Sequence, residues 1–345
     1  ANAHNNEGPE RMRVNEKAAT IYDIAKLAGV NPSTVSRALT TPGRINSATE
    51  AKVREAAKQL NYRVNTFARA LPTGRTRMIA LMVTDITNPV FFKVVRGAET
   101  VAAEEGYTLV IAESQESSSL EATTLERILP SVDGVIFGTT RLTDEEIYRI
   151  NGEKPVVLIN RVVEGVADVV PNNAPGIHEA VDHLAKLGHK HIAFLAGPSA
   201  SWINKDRWKL LMTSAVAAGM TVVEISSDGP TLEGGRLALD RVRASGVSAV
   251  VAYNDVMGIG LLRAAAAAGL AVPEQLSIIG FDNIFGSDFT SPPLTTIEMP
   301  LEKVGANAVH SLLKSLKGED QDEIPHGSEE TTSLLVRGST GKASA

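Results

Sequence analysis

From Met78 onward the chain repeats one motif that leaves few folds open: a short, continuous, β-branched-rich run followed by an amphipathic stretch. The runs start at Met78 (MIALMV), Tyr107 (YTLVIA), Gly134 (GVIFG), Pro155 (PVVLIN), His191 (HIAFLAG), Thr221 (TVVEIS), Ser248 (SAVVAYN) and Leu276 (LSIIGF). Continuous apolar runs of this length suit strands covered on both faces. Between them, stretches such as GIHEAVDHLAKLGH and DVMGIGLLRAAAAAGL have helical spacing. Strand–helix alternation predicts doubly wound parallel sheets, the α/β class. The strands are too many for one compact sheet, and a break falls between Arg161 and Pro171. Two similar lobes with a cleft between them follow. No short-period repeat is present, which excludes a solenoid.

The stretch before Met78 obeys a different rule. Thr20 and Asp23 have the spacing of an N-cap facing an acid at N3, ahead of the apolar set Ile21, Ile24, Ala25, Leu27 and Ala28. Gly29 ends that helix in a left-handed turn. Asn31 then caps a second helix, with Pro32 at the first helical position. Val35, Ala38 and Leu39 face the first helix, leaving Ser33, Thr34, Ser36 and Arg37 outside. Two short helices joined at a glycine, with small polar donors and one Arg outward, meet the needs of a helix-turn-helix. Charge separates this from an ordinary helical hairpin. Thr20–Arg77 holds ten Lys and Arg against three acids, a net +7; the whole chain is −6, so the remainder carries −13. A basic head on an acidic body points to phosphate contact by the head alone.

The segments TIYDIAKLAGV, STVSRAL, INSATEAKVREAAKQLNY and ARAL resemble the headpiece and hinge of LacI/GalR-type (lactose-repressor/purine-repressor) bacterial transcription regulators. The resemblance implies that the positions of Pro32, Ser33 and Arg37 read bases. Pro32 has no N–H or side-chain donor, so readout falls to Ser33, Thr34 and Arg37, with Ser36 on the same face. Thr20, Tyr22 and Asn46 are candidates to position phosphates. Asn65–Leu71 spans only about two turns, too short to hold as an isolated helix. The family implies that two copies fold together on DNA, meeting at the small Ala68 and wedging paired Leu71 side chains into the minor groove. A homodimer on a pseudo-palindromic operator follows.

Residues 78–338 resemble the same family's effector domain, itself similar to ribose-type periplasmic sugar-binding proteins. The implied organisation is a disordered tail at 1–19, a head at 20–64, a hinge helix and linker at 65–76, and an effector-binding and dimerisation domain at 77–340. Within it the N-lobe takes about 77–161 and 297–328, and the C-lobe about 162–296 and 329–340. Ligands of open α/β sheets bind beyond the carboxyl ends of the strands. TDITNPVFF, NR, YND and FDN follow the first, fourth, seventh and eighth runs, and Arg207 opens a helix after GPSASW. Each is singly a cap, a turn or an ion pair; together they suit a polyhydroxyl ligand. By resemblance, Phe91 stacks on it and Asn160, Arg161, Arg207, Asn254 and Asp282 clamp its hydroxyls. Val90 and Gly229 stand where the family usually has aromatic residues. Trp202 or Trp208 could replace the lost ring, or Trp208 could serve the core. A pentose such as ribose, or a nucleoside, is the expected effector.

Rival classes fare worse. GIGLLR at Gly258 is an incomplete glycine fingerprint in the wrong place for a dinucleotide, and GPSAS is no nucleophile elbow. His189 and His191 lack a carboxylate or Cys nearby and read as a surface pair, not a metal site. Neither an enzyme nor a cofactor or metal site is expected. A solute-binding protein without DNA function would need an export signal and no basic head. Residues 1–18 are polar with no apolar core, so they read as neither signal nor anchor. Cysteine is absent and no run approaches the length of a membrane span; a cytoplasmic protein is expected.

Overall fold

The computed structural model describes residues 19–40, 43–62, 74–318 and 330–344. The chain divides into two units, 1–76 and 77–345.

In the first unit, α1 (Ile21–Ala28), α2 (Pro32–Thr40) and α3 (Ser47–Gln59) enclose a small core of Ile24, Ala25, Val35, Ala38, Val53 and Ala56. The predicted capping box is formed: Asp23 N donates to Thr20 Oγ1, and Thr20 N donates to Asp23 Oδ2 at 2.8 Å. Gly29 is left-handed at φ 67° and closes α1 through its N–H to Ala25 O. Side-chain oxygens thus satisfy helix-end donors that would otherwise go unpaired.

The second unit builds two sheets. The first comprises β1 (Met78–Val83), β2 (Thr108–Glu113), β3 (Gly134–Phe137), β4 (Val156–Ile159) and β5 (Ala167–Val169), in the order β2–β1–β3–β4–β5, all parallel. The second comprises β6 (His191–Leu195), β7 (Thr221–Ile225), β8 (Ala249–Ala252), β9 (Ser277–Asp282), β10 (Thr295–Glu298) and β11 (Ser333–Leu335), in the order β11–β10–β9–β8–β6–β7. Only β10–β11 is antiparallel among these pairs. The helices α4 (Val90–Glu104), α5 (Ser118–Ile128), α6 (Asp144–Glu153), α7 (Ala174–Lys186), α8 (Trp202–Ala217), α9 (Leu232–Leu237), α10 (Leu239–Ser245), α11 (Asp255–Ala267) and α12 (Leu301–Lys317) flank them. Fully buried runs such as Val135-Ile136-Phe137 explain why the strands read as continuous rather than alternating.

β5 pairs with β4, so the first sheet extends to Val169, eight residues past the expected crossing at Arg161. After β10 the chain leaves the second sheet, and α12 buries Val304, Ala308, Val309 and Leu312 against the first. Near the return, Asn172 N donates to Glu330 O at 2.9 Å and Thr332 N to Asn172 O at 3.1 Å, tying two crossing segments together.

α4 and α12 cross at glycines. A Cβ on Gly305 would overlap the Val94 carbonyl, and one on Gly97 would overlap the Glu302 carbonyl. Gly305→Val should therefore destabilise the body by at least about 2 kcal/mol in urea unfolding. A change below a few tenths would mean the two helices part without cost.

Candidate functional site

The carboxyl ends of both sheets face one partly open cavity of about 50 Å³. From the first lobe come Phe91 on the first turn of α4, Asn160 after β4, and Glu116 and Arg141 after β2 and β3. From the second come Arg207 on α8, Tyr253 and Asn254 after β8, and Asp282 at the end of β9. Phe91 lies flush because Gly138 has no side chain: a Cβ there would fall 2.9 Å from the ring. Gly197 makes way for the Tyr253 ring in the same manner.

Arg207 is the most constrained of these side chains. Its guanidinium lies 3.6 Å from the Phe281 ring centroid and 5.2 Å from that of Tyr253. It donates to Tyr253 O, to Asp282 Oδ1 at 3.0 Å and to Met299 Sδ at 3.2 Å. Arg207 and Asp282 are each 4 % exposed, so each is the main compensation for the other's lost hydration. Asp282 has φ 103°, a conformation that L residues rarely hold without a surrounding structure to enforce it. Three buried polar atoms of the wall make no hydrogen bond within the protein: Arg207 Nε, a donor, Asn160 Oδ1, an acceptor, and Glu116 Oε2, which has only its ion pair with Arg141. Asn254 has both a structural and a lining role; its Oδ1 caps α11 at Met257 N (2.9 Å) and its Nδ2 donates to Pro230 O (3.2 Å).

Five of the six residues expected to meet a ligand therefore line the cavity, and Arg161 does not. Its guanidinium donates to Leu142 O at 2.7 Å and Asp144 Oδ1 at 2.6 Å, an ion pair at the surface of the first lobe. Arg141 supplies the first lobe's cation instead, its side chain 8 % exposed and paired with Glu116 at 2.6 Å. Sequence reading missed both, although the strand-end rule applied to the second and third runs points to them. Neither Trp replaces the missing aromatic: Trp208 stacks on Phe194 at 5.9 Å, and Trp202 packs against the same core. His189 is not a surface residue. It is buried, with Nδ1 2.8 Å from Ser248 Oγ and Nε2 3.0 Å from Gly341 O. Among the described residues no group of three His, Cys, Asp or Glu is placed to hold a metal, and no helix is long and apolar enough to cross a membrane. A larger open groove of about 630 Å³ lies between α9 and α11, where the Arg236–Glu233 pair is exposed; it lacks convergent buried polar groups.

On the first unit, Ser33, Arg37 and Tyr22 are exposed, and Thr34 and Ser36 half-buried. Thr20 and Asn46 act as helix caps, Asn46 Oδ1 accepting from Ala48 N at 2.9 Å, while remaining exposed. Asn65, Ala68 and Leu71 lie outside the described residues.

Residues 20–65 match the family described as bacterial regulatory proteins, lacI family, and residues 181–340 match a periplasmic binding protein-like domain. The chain is 33% identical over 339 residues to the HTH-type transcriptional repressor CytR of Escherichia coli (strain K12), across 96% of this chain and 98% of that one. Its fold is similar to that in a crystal structure of the Lac repressor dimer bound to operator and the anti-inducer ONPF. The TM-score is 0.83 at 24% identity, over 94% of this chain and 100% of that one. A LacI family transcriptional regulator from Enterococcus faecium with bound ribose matches with a TM-score of 0.68 and 25% identity, over 77% of this chain and 100% of that one.

Two buried carboxyls next to the cavity titrate abnormally. Asp255 accepts from Thr296 Oγ1 at 2.6 Å and Ile284 N at 2.9 Å. Desolvation, and then repulsion from Asp282, push it up to about 8. Desolvation pushes Asp282 to about 6, with Arg207 opposing. The folded body thus holds protons that the unfolded chain releases. Their stabilisation is complete below about pH 4 and is lost as pH rises through the raised values, at up to about 1.4 kcal/mol per pH unit for each proton. Urea unfolding between pH 6 and 8.5 should show stability falling with pH, and Asp255→Asn should flatten the slope. A wild-type profile as flat as the variant's would mean that Asp255 is ionised in the fold.

Proposed function

Because this chain belongs to the lacI family of bacterial regulatory proteins, we propose that it is a sequence-specific DNA-binding transcriptional repressor controlled by a small sugar-like effector. It acts in the cytoplasm as a homodimer on a pseudo-palindromic operator, and it is a regulator rather than an enzyme. The observation that carries this reading is the union, in one chain, of two sites. One is a helix-turn-helix with Ser33 and Arg37 exposed on α2; the other is a cavity lined by Phe91, Asn160, Arg207, Asn254 and Asp282.

Each head reads a half-site with Ser33, Thr34 and Arg37, while Thr20, Tyr22 and Asn46 set its register on the phosphates. The hinge, residues 65–76, folds on DNA, with paired Leu71 side chains unstacking the central step. The effector is ribose or another pentose, or a nucleoside. Support comes from the aromatic face of Phe91, from one unpartnered donor and one unpartnered acceptor in the wall, and from the ribose-bound relative. A hydroxyl satisfies both kinds of group at once. The cavity has room for roughly four waters, so a ligand enters when the lobes part. Its binding shifts the population toward a DNA-weak form, for which a differential affinity of about 1–3 kcal/mol is enough.

Fluorescence anisotropy of a labelled palindrome with a central CG step, titrated with ribose, uridine and a hexose panel, tests both halves. Release by one ligand is expected. Tight binding that no ligand changes would remove the sugar-like effector, and no preference over random DNA would remove the repressor. In the same assay Leu71→Ala should weaken operator binding roughly tenfold or more, leaving random-sequence affinity within about twofold. Equal losses on both would contradict the wedge. Arg207→Lys keeps the charge but loses the planar fork. It should blunt the ligand response by about tenfold at near-normal operator affinity; an intact response would take Arg207 out of the ligand's contacts.

A further inference from the structure

The walls of the cavity carry four charged side chains, and they are paired before any ligand arrives. Arg207 faces Asp282 at 3.0 Å in the second lobe, and Arg141 faces Glu116 at 2.6 Å in the first. Arg141 is also fixed from behind. Its backbone N–H donates at 2.9 Å to Oε2 of Glu121, a fully buried carboxyl on α5, and its Nη1 donates at 3.2 Å to Thr140 O. Burial raises the Glu121 carboxyl above the usual range, while the Arg141 N–H acts against that rise. Thr140 O takes one of the five guanidinium N–H groups, and Glu116 Oε2 lies beside Nη2 as an ion pair without a hydrogen bond, which leaves donors for a ligand. Burial raises the Tyr253 phenol above its ordinary range; Arg207 acts first against that rise, and Arg141, from the opposite lobe, adds to the opposition.

We propose that Arg141, held by Glu116, is a specificity-determining contact of the effector, and that the effector it admits is an uncharged polyhydroxyl compound, excluding phosphorylated or carboxylated forms. This rests on the sugar-like reading of the cavity and narrows it. An anion entering here would meet two guanidiniums already neutralised and two carboxylates that repel it at low local dielectric. Hydroxyls meet no such penalty. They can accept from Arg141 and Arg207 Nε and donate to Asn160 Oδ1 without breaking either ion pair.

The test is calorimetric titration of the full chain with matched pairs, ribose against ribose 5-phosphate and cytidine against its 5′-monophosphate, together with inorganic phosphate. Wild type, Arg141→Met, Glu116→Gln and Arg207→Lys are compared. Wild type should bind the uncharged member of a pair at least tenfold more tightly than the phosphorylated one and show no saturable uptake of inorganic phosphate. Arg141→Met should weaken the uncharged ligand at least tenfold. Glu116→Gln, which frees the cation, should narrow the gap or reverse it. Preference of the wild type for the phosphorylated member, or phosphate binding that Arg141→Met abolishes, would overturn the proposal and leave the sugar-like site standing. Unchanged affinity in Arg141→Met, for a ligand that Arg207→Lys loses, would remove Arg141 alone. Failure of every pair and of phosphate to bind wild type would bring down the sugar-like reading and this inference with it.

Discussion

A guanidinium stripped of water at the meeting point of three strand ends is the constraint on which the body's design turns. Arg207 reaches from α8 to the end of β8 through Tyr253 O, to the end of β9 through Asp282, and to Met299 just beyond β10. An unpaired cation in that position would be prohibitive, so the surrounding groups are specified: two aromatic rings, a carboxylate and a carbonyl. The same need accounts for the strained φ of Asp282, which brings its carboxylate to the cation. Asp255, placed between Thr296 and Ile284 N, is pushed toward its protonated form first by its burial and then by the Asp282 charge.

Met299 gives this knot a consequence beyond the cavity. It lies where the chain leaves the second sheet, two residues before Leu301 lines the cavity and starts α12. α12 then meets α4 at Gly97 and Gly305, so closely that neither helix can shift without the other. α4 in turn carries Phe91 back to the cavity, and Lys93 Nζ donates across the cleft to Asn283 O at 3.3 Å. A ligand that draws Arg207 and Phe91 together therefore acts on both sides of one crossing segment. Packed helices tend to move between discrete arrangements rather than deform smoothly, and small contacts can bias such an element.

Much of this was legible in the residues. The eight apolar runs coincide with eight strands; the inner ones are buried along nearly their whole length and need no polar alternation, whereas β2 and β7, at the sheet edges, stay partly exposed despite their apolar runs. The head was legible through Thr20, Asp23 and Gly29, whose cap chemistry is local. β5 and β10 escaped notice for a physical reason: Ala167–Val169 contains the buried Asp168, and three of the four residues of Thr295–Glu298 are polar, so neither forms an apolar run. Arg161 and Arg141 show where pattern reading ends. Both follow strand ends, but Asn160 at φ 59° takes the place at the cavity and Arg161 instead pairs with Asp144. Which of two neighbouring side chains faces a cleft depends on one backbone angle, and no residue count reveals it.

The central claim is that the cavity and the DNA-reading head share one equilibrium, and reciprocity tests it most directly. The affinity of the releasing ligand should be measured by calorimetry on the free protein and on the protein saturated with operator, alongside operator affinity with and without ligand. The account predicts that both affinities shift by the same factor, of about 5- to 150-fold. A ligand that binds equally well with and without operator would contradict it, leaving two independent sites on one chain.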